Sequence, residues 1–414
     1  MSYNLVRRQF LTTALAATSS LAATSIVAAS NRPGANPELT DLQPMPTDEL
    51  SENILNRVSP RSRKRRLESI KIDLLGDGLN LTPAEYSNLL HQLVRQNGVE
   101  ADFYCQGGIV AELETRFAKL LGKEMAVFLP TGTLANHLAL RLLAAGKRVL
   151  VPLESHVYND SGDGAQILSG MNLIPVTAAQ PGFTVAEIAP LLARNRSGRV
   201  ATPIGAILVE TPVRRQQGAM VDYQEIVRLA QFAREQQIPL HLDGARLFLA
   251  AAYTGIPLTD YCQHFDTVYV SLYKYFNAAA GAILAGPKAL LADLFHTRRM
   301  FGGSLAEAWP YAAVANHYLT GFLTRFQTAI AQSEKLIAAC QTMDFLQVER
   351  VPQGSNIFYL NLKTMDATVY RTNLAQRGVL VRPPVENKLE LYVNETLNRL
   401  PIEEIITRFR LAGK

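Results

Sequence analysis

From about residue 67 the chain alternates short, almost wholly apolar runs with longer segments whose apolar positions recur at helical spacing. Ala126–Leu129, Arg148–Val151, Met171–Val176, Ile204–Val209, Pro239–Leu242, Thr267–Val270 and Ala282–Ala285 read as buried strands. Leu134–Ala145 and Tyr223–Gln236 read as amphipathic helices. Buried strands separated by helix-length segments predict an α/β fold, a mostly parallel sheet covered on both faces. Such sheets bind ligands beyond the carboxyl ends of their strands. Asn356–Leu362 and Leu389–Val393 continue the pattern in a smaller C-terminal α/β lobe. The predicted division is a large domain over 67–303, then linking helices and the small domain over 304–414.

At 414 residues, 48% apolar and 19% charged, the chain has the balance of a globular protein with a sizeable core, which excludes a disordered or fibrous one. The net charge of +5 is concentrated, because five of the six positions in Arg61–Arg66 are basic and Arg7-Arg8 adds two more. No base- or phosphate-reading motif accompanies the run, so it reads as a solvated segment and nucleic acid is not an expected partner. Arg7-Arg8-Gln-Phe-Leu11 precedes an Ala/Thr/Ser-rich stretch ending in Val27-Ala-Ala29, and it resembles a twin-arginine export signal. The expectation is a signal peptide over 1–29, a Pro-containing linker over 30–66, a periplasmic location, and contact with a membrane only in transit. Cys105, Cys262 and Cys340 are too few and too scattered for a disulfide framework, though one bridge stays open. The seven His residues show no metal-ligand spacing, so no metal is expected.

Candidate chemistry falls at predicted strand ends. Pro130-Thr-Gly-Thr-Leu-Ala-Asn136 leads a strand into a helix, which makes either a phosphate-binding turn or a plain N-cap. His156, after the Arg148 strand, is either a satisfied loop histidine or a ring that stacks on an aromatic ligand. In His241-Leu-Asp-Gly-Ala-Arg246, Asp243 ends a buried strand and requires a partner. Arg246 is the candidate, closing the corner as an ion pair, while Gly244 leaves room for a ligand against the backbone. Lys274 lies between Tyr273 and Tyr275-Phe276, where apolar surroundings lower an amine's pKa and suit it to imine formation. Ser271 is placed to offer a hydroxyl to a phosphate. A phosphate turn, a stacking imidazole, an acid for a ring nitrogen, an Arg and an imine-forming Lys are the parts of a pyridoxal 5'-phosphate site.

In these residues the chain from about 70 to 400 resembles the threonine aldolase and aromatic amino acid β-eliminating lyase family of fold-type I pyridoxal phosphate enzymes. The resemblance is carried by Gly107-Gly-Ile-Val-Ala-Glu-Leu-Glu114, Thr131-Gly-Thr133, His156, His241–Arg246, Ser271-Leu-Tyr-Lys274 and Met300-Phe-Gly-Gly303. It implies that Lys274 bonds the cofactor, Asp243 meets the pyridine nitrogen, Arg246 lies near the ring oxygen, His156 stacks, and Gly132 and Thr133 bind the phosphate. It also implies an amino acid substrate and a homodimer or homotetramer, with Tyr104 and Gly302-Gly303 near the neighbouring site. The implied activity is that of a low-specificity threonine aldolase, cleaving Cα–Cβ of a β-hydroxy amino acid so that threonine gives glycine and acetaldehyde.

Three positions leave the family pattern. Glu210-Thr-Pro-Val-Arg-Arg215 carries Val213 where the family has a His near the substrate hydroxyl. Lys388-Leu-Glu-Leu-Tyr-Val-Asn394 carries Glu390 where an Arg holds the substrate carboxylate, which leaves Arg382 or Lys388 as substitutes. Gly302-Gly-Ser-Leu-Ala-Glu307 lacks the Arg usual in its loop. β-Elimination, racemisation or transamination on the same cofactor therefore stand as alternatives, as does a non-catalytic relative that binds cofactor or amino acid.

Overall fold

The structure is a computed structural model describing residues 70–176 and 180–414. The export signal and the linker, including the Arg61–Arg66 run, lie outside the described residues. Twelve strands follow in chain order: β1 (Ile72–Asp73), β2 (Met125–Leu129), β3 (Arg148–Pro152), β4 (Leu173–Val176), β5 (Ile204–Glu210), β6 (Leu240–Asp243), β7 (Thr267–Ser271), β8 (Ala282–Gly286), β9 (Leu346–Arg350), β10 (Ile357–Leu362), β11 (Val379–Leu380) and β12 (Lys388–Tyr392).

Strands β2 to β8 form one sheet in the order β2-β8-β7-β6-β5-β3-β4. The pairs β7·β6, β6·β5, β5·β3 and β3·β4 are parallel, and β8 alone runs against both its neighbours. Strands β5, β6, β7 and β8 are buried along their whole length, as expected where helices cover both faces. The helix Gly132–Ala144 lies over β5 and β8, and its buried residues include Ala135, Leu138 and Ala139. Behind the opposite face, Phe117, Phe248, Phe276 and Phe322 pack edge to face with ring centroids 5.0–6.1 Å apart.

The C-terminal lobe has a separate apolar cluster, in which Leu336, Leu360, Tyr370, Leu389 and Phe409 are fully or almost fully buried. Its three strands pair antiparallel in the order β12-β10-β9, and β1 pairs in parallel with β11. The segment after β1 thus reaches this lobe before the chain enters the large sheet. The helices Trp309–Leu319 and Phe322–Gln341 occupy the stretch predicted to link the lobes. No helix among the described residues is long and apolar enough to cross a membrane. All three cysteines are buried and free, so the disulfide left open by the sequence is not formed.

Candidate active site

The carboxyl edge of the parallel strands supplies the site. A cavity of about 750 Å³ is lined there by His156 after β3, Glu210 at the end of β5, Asp243 at the end of β6, and Lys274 after β7. Asp77, Arg214, Arg246, Tyr269 and Arg382 add to its charged and phenolic wall. The chain therefore brings together Lys274, Asp243, His156 and Arg246, which lie up to 118 residues apart in sequence.

Arg246 does not pair with Asp243, contrary to the sequence expectation. Its Nε and Nη2 donate to Asp77 Oδ2 at 2.9 and 2.8 Å, and Asn356 Nδ2 donates to Asp77 Oδ1 at 3.0 Å. Burial pushes the Asp77 carboxyl up, but the charge and hydrogen bond of Arg246, together with the Asn356 hydrogen bond and the Lys274 charge, outweigh it and leave the group below the usual carboxylate range. Asp243 takes its donors elsewhere, Asn136 Nδ2 at 2.6 Å and the Ala245 amide at 3.2 Å. The turn Gly244–Ala245 thus turns Arg246 away from the acid on its own strand. Asp77, 169 residues upstream, gave no local sign of this role.

Lys274 is half-buried, its Nζ 4.9 Å from the Tyr273 ring centroid, and it forms no salt bridge among the described residues. Burial, and then the charge of Arg246, pull its pKa below the ordinary lysine value. His156 is likewise held below its usual value by burial, and its neutral ring lines the same wall. Its backbone amide donates to Glu210 Oε2 at 2.7 Å, and the Arg214 amide donates to Glu210 Oε1 at 3.1 Å. Glu210 is buried, and burial followed by the neighbouring Asp243 charge raises its pKa to about 8. Its carboxyl accepts from both amides and so fixes the two cavity residues His156 and Arg214.

Gly132 and Thr133 begin the helix Gly132–Ala144, with Thr131 capping it by accepting from the Leu134 amide at 3.2 Å. The first amides of a helix have no intrahelical acceptor and are free for an anion. Thr133 is exposed on a small crevice that adjoins the cavity and shares His156 with it. A Cβ on Gly132 would overlap the Tyr269 phenol oxygen, so this position requires a bare backbone. Burial raises the Tyr269 pKa well above its ordinary value, which keeps the phenol a donor beside the turn. Ser271, by contrast, is fully buried and outside the cavity wall, and its hydroxyl makes no hydrogen bond of normal geometry. An amine in a cavity, an acid facing it, a neutral imidazole and a helix start stripped to glycine fit pyridoxal phosphate.

Of the departures from the family pattern, only that at Glu390 has a charged substitute on the cavity wall. Val213 is fully buried, bonded through its amide to the Ala219 carbonyl at 2.8 Å, and does not line the cavity. Glu390 is bridged by Arg382 Nη1 at 2.9 Å. Arg382 lines the cavity, held by the Leu75 carbonyl at 2.7 Å and stacked 4.3 Å from the Tyr392 ring centroid. Lys388 pairs instead with Glu349 at 2.7 Å, outside the wall. Tyr104 and Gly302–Gly303 do not line this chain's cavity either.

A lysine and an acid at the carboxyl edge of a mostly parallel sheet, with a small antiparallel lobe behind, define the fold-type I pyridoxal phosphate enzymes. The chain belongs to the beta-eliminating lyase family, whose model matches residues 92–363. A low-specificity L-threonine aldolase of Candida albicans is 27% identical over 264 residues, 63% of this chain and 69% of the relative. Alanine racemase TOXG of Cochliobolus carbonum is 29% identical over 252 residues, 60% of this chain and 61% of its own length. Among solved structures, a Listeria monocytogenes EGD-E protein provisionally assigned as an L-allo-threonine aldolase matches with a TM-score of 0.69 at 27% identity. That match covers 84% of this chain and 98% of the other. The protein is a pyridoxal phosphate-dependent lyase, similar to threonine aldolases.

Proposed function

We propose that the enzyme cleaves the Cα–Cβ bond of a β-hydroxy amino acid, releasing glycine and an aldehyde, so that threonine yields glycine and acetaldehyde. The observation that carries this reading is the single cavity wall shared by Lys274, Asp243, His156, Arg246 and Arg382. When bound, pyridoxal phosphate supplies the electron sink that lets a bond to the substrate's Cα break. Lys274 Nζ would hold the cofactor and, when free, would take the proton of the substrate hydroxyl and deliver one to Cα, which its lowered pKa suits. Asp243 would meet the ring nitrogen, His156 would stack on the ring, and Arg246, oriented by Asp77, would lie by the ring oxygen. Gly132 and Thr133, joined by Tyr269, would take the phosphate. Arg382 keeps Nε and Nη1 on Leu75 and Glu390, leaving Nη2 for the substrate carboxylate. That places the family's lost Arg function on a neighbouring position, with Glu390 as its counter-ion rather than a repelling charge.

A product panel tests the reading. Incubation with L-threonine, L-allo-threonine and β-phenylserine is expected to give glycine and the matching aldehyde. A second reading, racemisation or another reaction such as β-elimination or transamination, is favoured by Val213, which stands buried outside the cavity where the family has an imidazole near the substrate hydroxyl. Likeness to an alanine racemase agrees with it. Exchange of the Cα hydrogen without carbon–carbon cleavage across the panel supports that second reading and rejects the first.

The same reading includes a homodimer or homotetramer, in which Tyr104 and Gly302–Gly303 approach a neighbouring subunit's cavity, and export through the twin-arginine route. Sedimentation of the purified protein tests the assembly. A reporter fused after residue 66 and recovered only from the cytoplasm would reject export.

A further inference from the structure

A chain of hydrogen bonds runs through the core behind the cavity and ends on Asp243. Asn136 Nδ2 donates to Asp243 Oδ2 at 2.6 Å, His241 Nε2 lies 2.9 Å from Asn136 Oδ1, and His241 Nδ1 lies 2.8 Å from Thr267 Oγ1. His241 and Thr267 are wholly inaccessible and Asn136 is 1% exposed. The direction of the chain follows from its end. With its NH₂ group on a carboxylate, Asn136 presents Oδ1 as an acceptor, so His241 carries its proton on Nε2. Nδ1 of the neutral imidazole is then an acceptor for the Thr267 hydroxyl. Burial holds the imidazole neutral, so every proton in the chain points toward Asp243.

The surroundings of Asp243 make this orientation consequential. Glu210 is its register partner on the adjacent strand, and both carboxyl groups line the cavity. Two buried carboxylates side by side cannot both hold charge cheaply. The other titratable groups that act on Asp243 are Tyr269 from β7, His156 and Lys274. Glu210 has its two backbone amides, and Asn136 is the side chain that supplies a donor to Asp243 among the described residues.

We propose that Thr267, His241 and Asn136 form a positioning chain that aims the Asp243 carboxylate at the cofactor's ring nitrogen and keeps it, rather than Glu210, the acceptor there. The proposal rests on the cofactor assignment and not on the choice of substrate. None of the three residues touches the reacting atoms, and they act only through Asp243.

The test compares wild type with Asn136→Ala and Thr267→Val, each stripped of cofactor and titrated with pyridoxal phosphate. Circular dichroism verifies folding. Asn136→Ala is expected to raise the cofactor dissociation constant by roughly tenfold, and to move the pH midpoint of the bound cofactor's visible absorption band. Thr267→Val, nearly isosteric, moves that midpoint in the same direction by less. A purely structural network lowers the melting temperature and leaves the midpoint where it was. An unchanged midpoint in folded Asn136→Ala overturns the proposal; if that variant does not fold, an unchanged midpoint in Thr267→Val overturns it. A wild-type protein with no visible band contradicts the cofactor assignment and the proposal with it, whereas a wild-type band with unmoved variants rejects the proposal alone.

Discussion

At the scale of single residues, the site depends on groups whose partners lie far away in sequence. Lys274 and Asp243 were legible because each sits at the end of a buried run, where a charged side chain requires a reason. Asp77, Asn136, Tyr269 and Glu210 were not, since nothing in their own neighbourhoods announces that a fold will bring them to the same edge. The Asp243–Arg246 pair expected from proximity failed for the same reason, because a better partner arrives from residue 77. His241 gives a pH prediction. Burial depresses its pKa from 6.5 to about 4, so the unfolded chain takes up a proton before the folded one does. Stability from this group is intact above pH 6.5 and declines by about 3 kcal/mol as pH falls toward 4. Denaturant titrations across that window should show a shallower slope in His241→Gln than in wild type. At the cavity mouth, Arg382→Ala should raise KM by about tenfold with a smaller change in kcat, the result of losing one charge-assisted contact to the substrate carboxylate. An unaltered KM would remove Arg382 from substrate binding.

At the scale of elements, the strand positions followed from composition, because parallel strands covered on both faces are continuous apolar runs. The run beginning at Met171 starts two residues late, at Leu173, and those beginning at Pro239 and Asn356 start one residue late. The reversed direction of β8 had no signature, since a buried antiparallel strand flanked by two neighbours is as apolar as a parallel one. The start of the helix Gly132–Ala144 joins architecture to chemistry. Thr131 caps it through the Leu134 amide, Gly132 admits the Tyr269 phenol, and the Gly132 and Thr133 amides have no intrahelical acceptor. Gly132→Ala forces a methyl group into that phenol, and overpacking of this kind costs about 1–3 kcal/mol. The expected result is a lower melting temperature together with weaker cofactor binding. A variant that loses stability while binding cofactor as tightly as wild type would separate this turn from the phosphate.

At the scale of the whole molecule, Asp77 ties three parts of the chain together. It follows β1, accepts from Arg246 beyond β6, and accepts from Asn356 at the head of β10. Asp77→Ala leaves Arg246 buried without its counter-charge, at a cost of about 3–5 kcal/mol. Chemical denaturation should report that loss, and cofactor affinity should fall with it because Arg246 is no longer oriented. Length, composition and the alternation of elements made the two-lobed α/β architecture readable. Of the two substitutes the sequence left open for position 390, the fold puts Arg382 on the cavity wall beside Glu390 and pairs Lys388 with Glu349 outside it. The claim on which all of this depends is that Lys274 bonds the cofactor. Borohydride reduction of the pyridoxal phosphate-loaded protein, followed by peptide mass spectrometry, tests it directly. A pyridoxyl-phosphate mass on the peptide containing Lys274, absent from Lys274→Ala, is the predicted result. The same mass on a different lysine, or none at all, would contradict the account.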